Sequence, residues 1–158
     1  MKENLFDMPN FKTMRLKNIV LDYNGTIAKD GVLRDEVKKL LPELAKKYKL
    51  HVITADTFGS VEKELEAFVV EVKVLETSNH TQEKAEYIES LDATTTAALG
   101  NGNNDAMMLR EAEVGIAIIG AEGCSTLSLR ESDIVCNAID DALELFLHPK
   151  RLIATLRR

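Results

Sequence analysis

From residue 17 onward, short apolar runs alternate with stretches whose apolar positions recur at helical spacing. Residues 17–22 (KNIVLD) predict a first strand, because the run is largely apolar or β-branched and passes straight into a glycine-containing turn. After Asp35, the positions Val37, Leu40, Leu41, Leu44, Ala45 and Tyr48 fall on one face of a helix. Pro42 inside that pattern predicts a kink or a late helix start. Residues 51–54 (HVIT) predict a second strand, and Phe58, Val61, Leu65 and Phe68 a second helical stripe. Residues 69–75 follow as a third strand, and Thr81 is expected to cap a helix that buries Ala85, Ile88 and Leu91. Two further strands are predicted at 94–99 and 115–119, with a helix through Leu109 between them. A short edge strand is expected at 134–136 and a last helix at 140–147. Residues 27–33 read as a small hairpin around Asp30-Gly31 that could serve as a flap. The tail at 149–158 has an apolar side between basic residues and is expected to pack on its own domain.

Strands alternating with helices imply parallel βαβ units, and so an α/β protein with a mostly parallel sheet covered on both faces: a three-layer α/β/α, Rossmann-like fold. A length of 158 residues suits one core domain, assigned to 17–158, with 1–16 as an N-terminal extension. An apolar fraction of 45% beside 29% charged residues fits an ordinary globular protein rather than a disordered one. The net charge of -6 argues against nucleic acid or an anionic membrane as a partner. Residues 1–18 lack the uninterrupted apolar run of a secretory signal or a membrane span, so a cytoplasmic location is expected. Cys124 and Cys136 form no C-x-x-C pair and read as reduced packing residues.

In parallel folds polar chemistry gathers where strands end, and the polar residues of this chain lie there. The first strand runs into Asp22-Tyr23-Asn24-Gly25-Thr26 and the second into Thr54-Ala55-Asp56. Lys84 falls in the first turn of the expected helix after the third strand, where a cation opposes the helix dipole and calls for a nearby anion. The fourth strand runs into Gly100-Asn101-Gly102-Asn103-Asn104-Asp105, whose glycines permit tight backbone while Asn and Asp supply oxygen ligands for a cation. Taken singly, each is ordinary turn, cap or surface chemistry.

In this order the segments resemble the four motifs of the haloacid-dehalogenase (HAD) superfamily, and more closely the soluble relatives of the P-type ATPase phosphorylation domain. D-Y-N-G-T is similar to D-x-D-G-T, or to D-K-T-G-T of the pumps. V-I-T-A-D is similar to the T-G-D motif, and G-N-G-N-N-D-A-M-M-L to G-D-G-x-N-D-x-x-x-L. The resemblance implies a phosphohydrolase with Asp22 as nucleophile, passing through an aspartyl-phosphate. It implies Mg²⁺ held by Asp22, the Asn24 carbonyl, Asn101 and Asp105. It further implies a phosphoryl group contacted by Tyr23, Asn24, Thr54, Ala55 and Lys84. Two residues depart from the pattern: Asn24 replaces the Asp that serves as general acid and base, and Asn101 replaces a carboxylate near the metal. An amide cannot take a proton from water at neutral pH, so slow turnover and low metal affinity are expected.

Neither 26–51 nor 56–84 has room for an inserted cap domain. The phosphorylated substrate, small or macromolecular, is therefore not defined by the sequence. The resemblance also allows a homo-oligomer, since similar capless enzymes often assemble as tetramers. The competing reading is a catalytically impaired HAD-like module that binds phosphate or regulates. A receiver domain would place an acidic pair before the phosphoacceptor strand, which this chain lacks, and its glycines do not give G-x-G-x-x-G.

Overall fold

The structure, a computed structural model, describes residues 4–158. The first three residues of the expected N-terminal extension lie outside it. The chain begins with an antiparallel hairpin, β1 (Asn4–Asp7) and β2 (Thr13–Leu16), then enters the central strand β3 (Asn18–Asp22). A second small hairpin, β4 (Ala28–Lys29) and β5 (Val32–Leu33), leads into α1 (Asp35–Ala45), β6 (Lys49–Thr54), α2 (Ser60–Leu65) and β7 (Glu71–Val74). Then follow α3 (His80–Ser90), β8 (Thr96–Gly100), α4 (Ala106–Glu111), β9 (Val114–Ile118), α5 (Thr126–Glu131) and β10 (Ile134–Cys136). The helices α6 (Ile139–Leu147) and α7 (Pro149–Leu156) close the order.

The main sheet has six strands in the order β10-β9-β8-β3-β6-β7, all parallel. From β3 the chain moves outward through β6 and β7, then returns to the other side of β3 for β8, β9 and β10. The order therefore reverses beside β3, and such a reversal leaves a crevice at the carboxyl ends of the strands on either side. Asp22, the last residue of β3, stands at that crevice.

Successive strand residues point to opposite faces, which sorts the core into two layers. Ile19 and Leu21 of β3, Leu50 and Val52 of β6, Leu99 of β8 and Ile116 of β9 join the larger cluster with α1 and α6. Val20, Ile53, Ala98 and Ala117 face the smaller cluster, which takes in Ile88 of α3 and Met108 and Leu109 of α4. Small residues on this second face let α4 lie close to the sheet. A β-carbon at Gly115 would meet the Leu109 carbonyl oxygen at 2.3 Å.

Several boundaries differ from the sequence expectation. Pro42 neither delays α1 nor ends it; the helix runs through to Ala45. The second helix is shorter than its stripe, and Phe58 is exposed, ahead of its start. Asn79, not Thr81, caps α3: its side chain accepts a hydrogen bond from the Gln82 N–H at 3.2 Å. The N-terminal segment, which the sequence marks only as an extension, forms a hairpin whose Phe6, Met14 and Leu16 are buried in the larger cluster. The tail packs on this hairpin, with the Arg158 N–H donating to the Pro9 carbonyl and the Arg158 guanidinium over the Phe11 ring at 4.4 Å.

A polar network is buried at the opposite end of the sheet from Asp22. His51 is fully buried; its Nε2 donates to Asn18 Oδ1 (3.1 Å) and its Nδ1 accepts from the Tyr87 hydroxyl (2.8 Å). Burial lowers its pKa to about 4, against a weaker upward pull from Glu71. The unfolded chain therefore binds a proton that the fold refuses. The stability held by neutral His51 is fully present above an unfolded pKa of about 6.5 and is lost as pH falls below it toward the folded value. Urea melts near pH 8 and near pH 5 should show a wild-type loss about 2 kcal/mol larger than that of His51→Gln. Equal losses in the two proteins would refute the assignment.

Candidate active site

The turn after β3 is drawn tight by the Tyr23 carbonyl, which accepts from the N–H groups of Thr26, Ile27 and Ala28. Gly25 takes a left-handed φ of 81°, the conformation for which glycine is suited. Tyr23 itself is buried, and its hydroxyl donates to the Gly31 carbonyl at 2.9 Å. Asn24 Oδ1 accepts from the Gly31 N–H at 3.1 Å. The β4–β5 hairpin, turned by Asp30 (φ 52°) and Gly31 (φ 82°), is thereby tied to the residues next to Asp22.

Asp22 Oδ2 accepts from the Thr26 hydroxyl at 3.3 Å, while Oδ1 accepts from Lys84 Nζ at 2.9 Å. Lys84 lies in the second turn of α3, one turn later than expected from sequence, and is almost fully buried. Its other two protons go to Asp105 Oδ1 at 2.8 Å and Asn104 Oδ1 at 3.1 Å. The anion that the Lys84 position demanded is a pair of carboxylates. Burial works against its charge, but Asp22 and Asp105 outweigh that and raise its pKa. Burial, then the Asp105 charge, push Asp22 well above the usual carboxylate range, and Lys84 pulls it back only in part.

Asp105 is fully buried and committed on both oxygens. Besides Lys84, it accepts from the N–H groups of Asn101 (2.9 Å) and Gly102 (3.0 Å), closing the turn after β8 on itself. A β-carbon at Gly100 would lie 2.5 Å from Asp105 Cγ, so this closure requires glycine there. On the other side, the Thr54 hydroxyl accepts from the Asp56 N–H at 3.1 Å, which leaves its own proton to donate. Asp56 in turn accepts from the N–H groups of Phe58 and Val61 and from Ser60, fixing the start of α2.

All eight residues singled out from the sequence line one cavity of about 290 Å³: Asp22, Tyr23, Asn24, Thr54, Ala55, Lys84, Asn101 and Asp105. The structure adds His80 at the start of α3, Asn104 on Lys84, and Glu122 from the loop after β9. Asn104 lies within the G-N-G-N-N-D segment next to Asp105, and that adjacency is the sequence signal for a second lysine partner. Glu122 lies in a Gly-Ala-Glu-Gly turn outside every motif, with no sequence signal for a place in the cavity.

Among the described residues no three His, Cys, Asp or Glu side chains stand grouped for a metal ion. The oxygens facing the cavity nonetheless suit a hard divalent cation, with amide and carboxylate donors together. The turn after Asp22 is bare where they meet. A β-carbon at Gly25 would lie 2.8 Å from Asn101 Nδ2, 3.1 Å from Asn101 Oδ1 and 2.9 Å from Glu122 Oε2. The donor set and this cradle fit Mg²⁺.

No family model matches the chain. Two archaeal relatives do, both from Methanocaldococcus jannaschii. "Uncharacterized protein MJ0073" is 50% identical over 60 residues, which are 38% of this chain and 64% of that protein. "Uncharacterized protein MJ0072" is 44% identical over 39 residues, 25% of this chain and 89% of that protein. The chain thus spans less than two thirds of the first of them. Among solved structures, the fold resembles 3-deoxy-D-manno-octulosonate 8-phosphate phosphatase from Moraxella catarrhalis, in complex with magnesium, phosphate and KDO. The TM-score is 0.70 at 17% identity, covering 90% of this chain and 94% of that one. The cobalt-bound deoxy-D-mannose-octulosonate 8-phosphate phosphatase from Haemophilus influenzae gives 0.71 at 9% identity, over 90% and 94% of the two chains. A zinc-transporting PIB-type ATPase gives 0.63 at 21% identity, over 77% of this chain and 20% of that one. The chain has the fold of the HAD superfamily, with no cap domain inserted among the described residues, and belongs to one family with the M. jannaschii protein MJ0072.

Proposed function

We propose that the chain is a Mg²⁺-dependent phosphohydrolase of the HAD type that works through an aspartyl-phosphate on Asp22. The observation that carries this reading is Lys84. A buried ammonium ion is held between Asp22 and Asp105 in the lining of a cavity to which Thr54 brings a hydroxyl proton free to donate. A purely structural ion pair would not need to open onto a polar crevice at the reversal of the strand order.

An oxygen of Asp22 attacks the phosphorus of a phosphate ester or anhydride, and the bond from phosphorus to the leaving oxygen breaks. Thr54 donates to a phosphoryl oxygen, and the Lys84 N–H that in the free protein donates to Asp22 Oδ1 turns to the transferring group. Bound beside Asp22, the Asn24 carbonyl, Asn101 and Asp105, Mg²⁺ would supply charge that offsets repulsion between carboxylate and phosphate. Water then attacks the phosphorus of the acyl-phosphate, releasing phosphate and restoring Asp22. Asn24 can give no proton to the leaving oxygen and take none from that water. The second step is therefore slow, and esters with acidic leaving groups are favoured.

With Mg²⁺ and p-nitrophenyl phosphate, wild-type protein should release p-nitrophenolate, and Asp22→Asn should lower the rate by at least about three orders of magnitude, the scale seen when a covalent nucleophile is removed. Equal rates in the two proteins would contradict the proposal. The departures at Asn24 and Asn101 favour one second reading, a module that binds phosphate without turnover. Its mark would be phosphate binding to wild type with no release of p-nitrophenolate.

The phosphoryl-bearing substrate is a matter for a screen over sugar phosphates, nucleotides and phosphoproteins. The absence of an inserted cap leaves the cavity open to any of them. No helix among the described residues is long and apolar enough to cross a membrane.

A further inference from the structure

The carboxylate missing at position 101 has a structural counterpart in the loop after β9. We infer that Glu122 supplies the cation site with the negative oxygen ligand that Asn101 cannot provide. This rests on the reading of the cavity as a divalent-cation and phosphoryl site.

The loop is built to hold Glu122 there. It leaves β9 with the Ile119 N–H bonded to the Cys136 carbonyl and makes a four-residue turn closed by the Gly123 N–H on the Gly120 carbonyl at 2.9 Å. Gly123, with φ of 77°, completes that turn. The turn is then stapled to Asn101 twice. Asn101 Nδ2 donates to the Gly123 carbonyl at 3.2 Å, and the Ser125 N–H donates to the Asn101 carbonyl at 2.7 Å. Asn101 thus orients the loop as well as lining the cavity.

In that position the Glu122 carboxylate and the Asn101 amide close on the same point beside Gly25, the residue whose peptide carries the Asn24 carbonyl. Glu122 makes no hydrogen bond or ion pair among the described residues. Asp105, by contrast, is engaged on both oxygens, and Asp22 shares its charge with Lys84. Asp22, Asp105 and Lys84 sum to one negative charge. Glu122 brings the total to two, which balances a divalent cation.

The test is metal binding by the full-length, metal-free chain without substrate, with Mn²⁺ as the probe and free Mn²⁺ followed by electron paramagnetic resonance. Glu122→Gln should weaken Mn²⁺ about ten-fold or more. Asn101→Asp placed in the same background should restore most of the affinity, because it returns a carboxylate to the neighbouring position. Thermal unfolding of the metal-free protein should not move, since the side chain is exposed and unpaired. Equal Mn²⁺ affinity of wild type and Glu122→Gln, with Asp22-dependent hydrolysis intact, overturns the role of Glu122 alone. Absence of both Mn²⁺ binding and hydrolysis in wild type overturns this inference together with the proposed function.

Discussion

Lys84→Met should cost the protein both its activity and a large part of its stability. The substitution leaves the buried carboxylates of Asp22 and Asp105 facing one another without the cation between them. Breaking a buried pair from one side typically costs about 3–5 kcal/mol, because the remaining charge stays desolvated. Here the remaining groups are two like charges, so part of that cost will be relieved by protonation. The deficit of the variant relative to wild type should therefore shrink as pH falls and the carboxylates take up protons. Hydrolysis should drop by roughly 10²- to 10³-fold, the range for removing one preorganised electrostatic donor. Urea melts over a pH series together with p-nitrophenyl phosphate kinetics check both parts. A variant as stable as wild type at neutral pH would show that the three groups are not coupled as their distances imply.

The second large effect runs in the opposite direction. Asn24→Asp should raise steady-state turnover by roughly a hundred-fold, the lower end of what general acid–base catalysis contributes. The fold should tolerate the change, because a carboxylate oxygen can take the Gly31 N–H bond that Asn24 Oδ1 now accepts. If breakdown of the acyl-phosphate limits wild type, mixing with substrate should give a burst of p-nitrophenolate close to one per active site. The burst should vanish in Asn24→Asp as the second step catches up. Unchanged turnover in the variant would mean that the amide is not what slows the enzyme.

These predictions depend on features of unequal visibility in the sequence. The central strands were legible because β3, β6, β8 and β9 are buried on both faces and so appear as continuous apolar runs. The Asp30-Gly31 hairpin was legible because its two left-handed positions demand such residues. The N-terminal hairpin was not. Its strands are four residues each, with an alternation too short to separate from an irregular segment, and its burial depends on packing contacts far along the chain. Phe58 misled for a related reason. Its spacing continues the helical stripe, but Asp56 draws the backbone N–H groups of Phe58 and Val61 to itself and starts the helix only at Ser60.

Within the cavity, residues closing strands could be named because strand ends converge in a parallel sheet. Partners between those residues could not. Sequence placed Lys84 and Asp105 near a cation and a phosphate without foreseeing that they bind each other. Glu122 was invisible, since its position follows from a glycine turn held by hydrogen bonds to Asn101, which no local pattern encodes.

The central claim is that one side chain, Asp22, accepts the phosphoryl group. It is tested most directly by rapid acid quench of Mg²⁺-loaded protein during turnover, followed by borohydride reduction and peptide mass spectrometry. An acyl-phosphate at Asp22 would be reduced to homoserine, and the peptide containing residue 22 should carry that mass change only when substrate and Mg²⁺ are both present. Turnover with no reduction at Asp22, or with reduction at another carboxylate, would contradict the account.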